Sequence, residues 1–87
     1  MYNLKYTKEF EKSLKSLSQQ EQKLVFNKLK IFIQNPFYPS LRTKKVQGLD
    51  NVFEMSVNMN IRILWKYENG VIILLLDVGH HKKILGL

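Results

Sequence analysis

Two periodicities alternate along the chain. In YNLKY, Tyr2, Leu4 and Tyr6 fall on one side and Asn3 and Lys5 on the other, the period-2 pattern of a half-buried strand. Phe10, Leu14 and Leu17 then recur at spacings of four and three, the apolar stripe of a helix. Thr7 offers this helix an N-cap, and Glu9 and Glu11 stand in its first turn, where the helix dipole favours them. Lys8, Lys12 and Lys15 occupy its wet side. Ser18 and Glu21 have the spacing of a capping box and open a second helix. Leu24, Val25, Leu29, Phe32 and Ile33 supply the second stripe, and Asn35-Pro36 ends it, because a residue before proline avoids the helical region. With almost no loop between them, the two helices should form an antiparallel hairpin.

The second half reads as strands. PFYPSLRTKKVQGLDN is a connector whose middle, LRTKKV, suits a short extended edge. In VFEMSV, Phe53, Met55 and Val57 share one face and Glu54 and Ser56 the other. NMN is a turn. IRILWKY repeats the alternation, with Ile61, Ile63, Trp65 and Tyr67 inward and Arg62 and Lys66 outward. ENG is a second turn, with Gly70 available for positive φ. VIILLLDV is apolar on both faces, which predicts the central strand. The expected fold is α+β, in the order β-α-α-β-β-β with LRTKKV as an additional strand. The helical hairpin packs on one face of a mainly antiparallel sheet. The other face, carrying Glu54, Ser56, Arg62 and Lys66, is at least partly open to water.

Length and composition narrow this picture. At 87 residues the chain has room for one domain, residues 1–87. Its 45% apolar content fits a globular core. The run VIILLL is far short of the ~20 residues of a membrane span. The start MYNLKYTKEF has no apolar secretory core. Without cysteine, a disulfide framework and a thiolate zinc site are excluded, in keeping with a cytoplasmic location. Fourteen Lys and Arg face seven Asp and Glu, a formal charge of +7. Such an excess favours an anionic partner: nucleic acid, an acidic protein segment or an anionic membrane surface.

Candidate chemistry gathers at one end of the meander. Across the ENG hairpin, the start of the strand holding Arg62 lies beside the end of the strand running into Asp77–His81. Backbone extended past Gly79 points His80 and His81 to opposite faces, His81 with Asp77 and His80 with Val78. Both enter one site only if Gly79 bends the strand. Cleavage of a phosphodiester by its own 2′-hydroxyl needs a base, cations on the phosphoryl oxygens and an acid for the leaving 5′-oxygen. Histidine suits either proton role near neutral pH, and the arginine fork matches two phosphate oxygens. Arg42, Lys44 and Lys45 add a basic cluster in the connector, and Lys66, Lys82 and Lys83 extend it as candidate RNA contacts. Blander roles stand beside these. Arg62 can neutralise Glu54 across the hairpin, an exposed pair contributing about 0–1 kcal/mol. Asp77 can partner Arg62 or His81, and LRTKKV can be a solvated loop. GHH offers two ligands without an acidic cluster, so neither a metal nor another cofactor is expected. The alternation reads Trp65 and Tyr67 as core rather than as base-stacking rings.

FEKSLKSL, the basic TKKVQGL, VFEMSVNMNIRILWKY and VIILLLDVGHHKKIL, in this order, resemble the RelE/ParE superfamily of toxins from bacterial type II toxin–antitoxin systems. The resemblance covers nearly the whole chain. It implies the α+β toxin fold and an antitoxin partner with an acidic and apolar segment. No membrane is involved, and DNA is met only through the antitoxin. The RelE-like and YafQ-like branches cut mRNA in the ribosomal A site without a metal, whereas the ParE-like branch poisons gyrase. Carried over by position, Arg62 matches the strand arginine on the scissile phosphate. His81 matches the position of a catalytic histidine or arginine, with His80 beside it. Leu85 stands where the ribonuclease branches place an aromatic, and Glu54 and Ser56 near where one branch has lysines. The doubled histidine favours a ribosome-dependent mRNA endonuclease over gyrase inhibition. A catalytically degenerate toxin, kept as an antitoxin-binding co-repressor, is the further alternative.

Overall fold

The computed structural model describes residues 1–84 apart from the side chain of Lys83; the Leu85 position lies outside the described residues. The elements run β1 (Asn3–Tyr6), α1 (Lys8–Ser16), α2 (Gln19–Phe32), a 3-10 turn (Pro39–Leu41), β2 (Lys44–Lys45), β3 (Phe53–Ser56), β4 (Ile61–Tyr67), β5 (Ile72–His80) and α3 (His81–Ile84). Both helix starts form as the sequence predicts. Thr7 Oγ1 accepts from the Phe10 N–H, and Ser18 and Glu21 close a reciprocal capping box. Among the described residues no helix is long and apolar enough to cross a membrane.

The strands form one sheet in the order β1-β5-β4-β3-β2. β1 joins β5 in parallel, and the other pairs are antiparallel. β5 is therefore an interior strand, but the middle place belongs to β4. β2, the predicted basic edge, is only two residues long. Phe10, Leu17, Val25 and Phe32 of the helical hairpin bury against Met55, Ile61, Ile63, Trp65, Ile73, Leu75 and Val78 of the sheet. Trp65 is the hub. Phe53 stacks on it at 4.6 Å between ring centroids, and Phe32 meets it edge-on at 5.0 Å. Leu24, counted above in the α2 stripe, is instead exposed; Val25 and Phe32 carry the contact.

A β-bulge fixes which side chains reach each face. Leu64 pairs with Asp77 and Trp65 with Leu75, so Leu76 has no partner on β4. The extra residue reverses the alternation. Ile73 and Leu75 face the core, and beyond the bulge Val78 does so in place of Asp77. The Thr7 hydroxyl donates to the Leu76 carbonyl at 2.7 Å, so the α1 cap also ties down the bulge.

The two turns depart from the simplest reading. Gly70 does not adopt positive φ; among the described residues the left-handed glycine is Gly48, at φ 86°. The ENG turn is instead held by Asn69 Oδ1, which accepts from Val71 and Ile72 N–H groups. The NMN turn uses the same device, Asn58 Oδ1 accepting from Asn60 and Ile61. An asparagine side chain that mimics a backbone turn removes the need for glycine.

Candidate nucleic-acid interface

Arg62 lies opposite Gly79 in the β4–β5 ladder, on the face away from the helical hairpin. Its Nη1 donates to the carbonyls of Asn58 at 2.7 Å, Met59 at 3.0 Å and Ile61 at 3.3 Å. The guanidinium is thus anchored on the NMN turn, and little entropy remains to be lost when it meets an anion. Its other two nitrogens have no acceptor among the described residues. Arg62 does not pair with Glu54 or Asp77. Glu54 is only 3% exposed and meets Lys44 Nζ at 3.5 Å across β2–β3. Asp77 Oδ1 accepts from the Val78 N–H. The face expected to be open therefore has Glu54 buried within it, while Ser56, Arg62 and Lys66 are half-buried.

The two histidines part company at Gly79. His80 pairs with Ile61, on the helix side of the sheet, and its Nε2 lies 3.4 Å from Glu21 Oε2 at the start of α2. The Ser18 backbone N–H is the main cause holding the Glu21 carboxyl below its ordinary range; desolvation opposes it, and the Ser18 hydroxyl and His80 lower it further. His80 lines a groove between α1 and the end of β5, with Lys12 and Asp77. The strand does not stay extended beyond it, because His81 opens α3. The His81 N–H donates to the Asn60 carbonyl at 2.7 Å. Arg62 and His81 are therefore tied to carbonyls of the same three-residue turn. The His81 ring is half-buried, and its Nδ1 has no hydrogen-bond partner among the described residues.

Arg62 shares a shallow depression of about 330 Å³ with Arg42, Lys28, Ser40 and Ser56, bordered by the NMN turn. Arg42, exposed, follows the 3-10 turn in a left-handed conformation, φ 50° and ψ 41°. Lys44 and Lys45 stand exposed along β2 and Lys82 on α3; none of them lines this depression. Lys66 is half-buried one β-repeat beyond Leu64 on the Arg62 face. Trp65 is fully enclosed, whereas Tyr67 at the far end of β4 is 36% exposed. Sequence reasoning missed Lys28, and read Glu21 only as a capping residue and not as the partner of His80. Lys28 lies three residues after Val25 and four before Phe32, beside the buried stripe, and that spacing was the available signal. No His, Asp or Glu cluster able to hold a metal occurs among the described residues.

No family model matches the sequence, and no curated protein matches it. Solved structures do. The YafQ structure from E. coli superposes with a TM-score of 0.78 at 12% identity, over 97% of this chain and 98% of that one. RelE in the archaeal RelE–RelB complex from Pyrococcus horikoshii gives 0.74 at 17% identity, covering 91% and 93%. A YoeB/ParE toxin from Agrobacterium tumefaciens gives 0.76 at 10%, covering 91% and 98%. At these identities the likeness speaks for the fold. Element order, sheet topology and near-complete mutual coverage agree, and the chain has the RelE/ParE-type toxin fold.

Proposed function

We propose that this chain is the toxin of a type II toxin–antitoxin pair and inhibits translation by cutting mRNA on the ribosome without a metal. One observation carries the reading: an arginine fork pre-set by turn carbonyls, next to a second arginine, with a histidine tied to the same turn. In the cut, the 2′-oxygen attacks phosphorus and the P–O5′ bond breaks. A base takes the 2′-proton and an acid supplies one to the 5′-oxygen. Arg62 and Arg42 stabilise the charge that builds on the phosphoryl oxygens, where fixed donors are most effective. His81 serves as acid or base. His80, turned toward Glu21 on the helix side of β5, is a contact for the RNA backbone. Lys44, Lys45, Lys66, Lys82 and Lys83 hold the RNA backbone. RelB in the archaeal complex is the precedent for a partner here: an antitoxin with an acidic and apolar segment that covers the basic face.

A second reading, a degenerate toxin that only binds its antitoxin, draws on Glu54, a buried carboxylate on the Arg62 face. Inducing the chain and mapping mRNA 5′ ends separates the readings. Codon-phased cuts in translated messages are expected. Double-strand DNA breaks with an SOS response would instead support gyrase inhibition. Harmless expression without an antitoxin would support the degenerate toxin.

A further inference from the structure

We infer that Lys28 of α2 is a phosphate-binding residue, forming with Arg42 and Arg62 a three-cation station for a backbone phosphate of single-stranded RNA. The inference rests on the proposed function and extends it to a residue that reading leaves unused. Three elements distant in sequence each bring one cation to the same depression: α2, the segment after the 3-10 turn, and β4. No carboxylate lines it. The ion pairs found among the described residues, Lys5–Glu68, Lys44–Glu54 and His80–Glu21, all lie elsewhere. Like charges gathered without a counter-ion raise the energy of the folded state, and a bound anion relieves that cost. Lys28 is half-buried, whereas Lys23 and Lys30 on the same helix are exposed.

The surroundings suit a phosphate. The space of about 330 Å³ lies within the range of about 300–1,000 Å³ typical of ligand sites. Ser40 and Ser56 add hydroxyls that make no side-chain hydrogen bond among the described residues. Arg62 keeps two nitrogens free while its third is held by the turn. Met59, 89% exposed at the rim, offers an apolar surface to a base. An RNA strand threaded through this station passes over the end of the sheet toward α2, instead of staying on the sheet face.

The test is fluorescence anisotropy of the full chain with a short 2′-O-methyl RNA of mixed sequence, titrated across salt concentrations. Methylation blocks attack by the 2′-oxygen, so binding is read without cleavage. Lys28→Gln should weaken binding about fivefold and flatten the slope of log affinity against log salt by about 0.7, the value for one single-strand phosphate contact. Lys28→Arg should restore both. Lys23→Gln, which removes an equal charge from α2 outside the depression, should leave the slope near that of the wild type. An unchanged slope for Lys28→Gln, an equal loss for Lys23→Gln, or no binding by the wild type would overturn the inference. Codon-phased mRNA cuts alongside an unchanged Lys28→Gln slope would sink the station and leave the proposed function standing. A Lys28-dependent slope without any cuts would do the reverse.

Discussion

Arg62 is the residue whose role depends most on its exact geometry. Three carbonyls around Nη1 convert a flexible side chain into a fixed donor. Lysine keeps the charge but has neither the fork nor the same way of bridging the turn. Arg62→Lys should therefore lower mRNA cleavage by about a hundredfold, the scale of removing one preorganised oxyanion donor. Thermal unfolding should stay near wild type, and primer-extension assays on translating ribosomes measure the loss. Wild-type cleavage by Arg62→Lys would show that charge alone suffices. At the same scale, Glu21 has a testable pH signature. Its folded-state pKa is depressed, chiefly by the Ser18 N–H, so the stabilisation is present above the unfolded value of about 4.3 and is lost as pH falls through the folded value. Glu21→Gln keeps a capping-box acceptor without the charge. The melting-temperature gap between wild type and Glu21→Gln should be open at neutral pH and close in acid. A gap independent of pH would deny Glu21 this role.

Among the elements, β5 shows how far the sequence could be read. Its apolar run marks an interior strand, and alternation alone separates His80 from His81. What alternation cannot supply is the bulge at Leu76, because nothing in LLLDV says which residue is left out of the ladder. Extended without the bulge, the strand would carry Ile73, Leu75 and Asp77 inward together. The bulge keeps Asp77 out of the core and sets Gly79 opposite Arg62. Deleting Leu76 should restore a regular ladder with Trp65–Leu75, Leu64–Asp77 and Ile63–Val78 now consecutive, which leaves Asp77 outward and Val78 inward. The variant should still unfold cooperatively by circular dichroism; loss of the cooperative transition would refute this account of the bulge. The helices were more legible. Thr7, Ser18 and Glu21 are local signals, and Ser18→Ala should cost about 1 kcal/mol in chemical denaturation. α3 escaped notice, because a four-residue helix leaves no periodicity to read.

For the whole molecule, order and texture of the elements were enough to suggest the toxin fold, which near-full-length superposition on YafQ and RelE structures supports. The site was less legible, since it is assembled by turns and by one left-handed residue, Arg42, that periodicity does not report. Lys28 becomes meaningful only when α2 is seen to end one wall of a depression that β4 and Arg42 complete. The central claim is that this depression and its turn support cleavage by the RNA's own 2′-hydroxyl. Its most direct measurement is end-group analysis of mRNA from purified translating ribosomes incubated with the chain. The account predicts 5′-hydroxyl and 2′,3′-cyclic phosphate ends at the cut, abolished by His81→Ala and Arg62→Ala. Intact mRNA, or cuts that leave 5′-phosphates and persist in both variants, would contradict it.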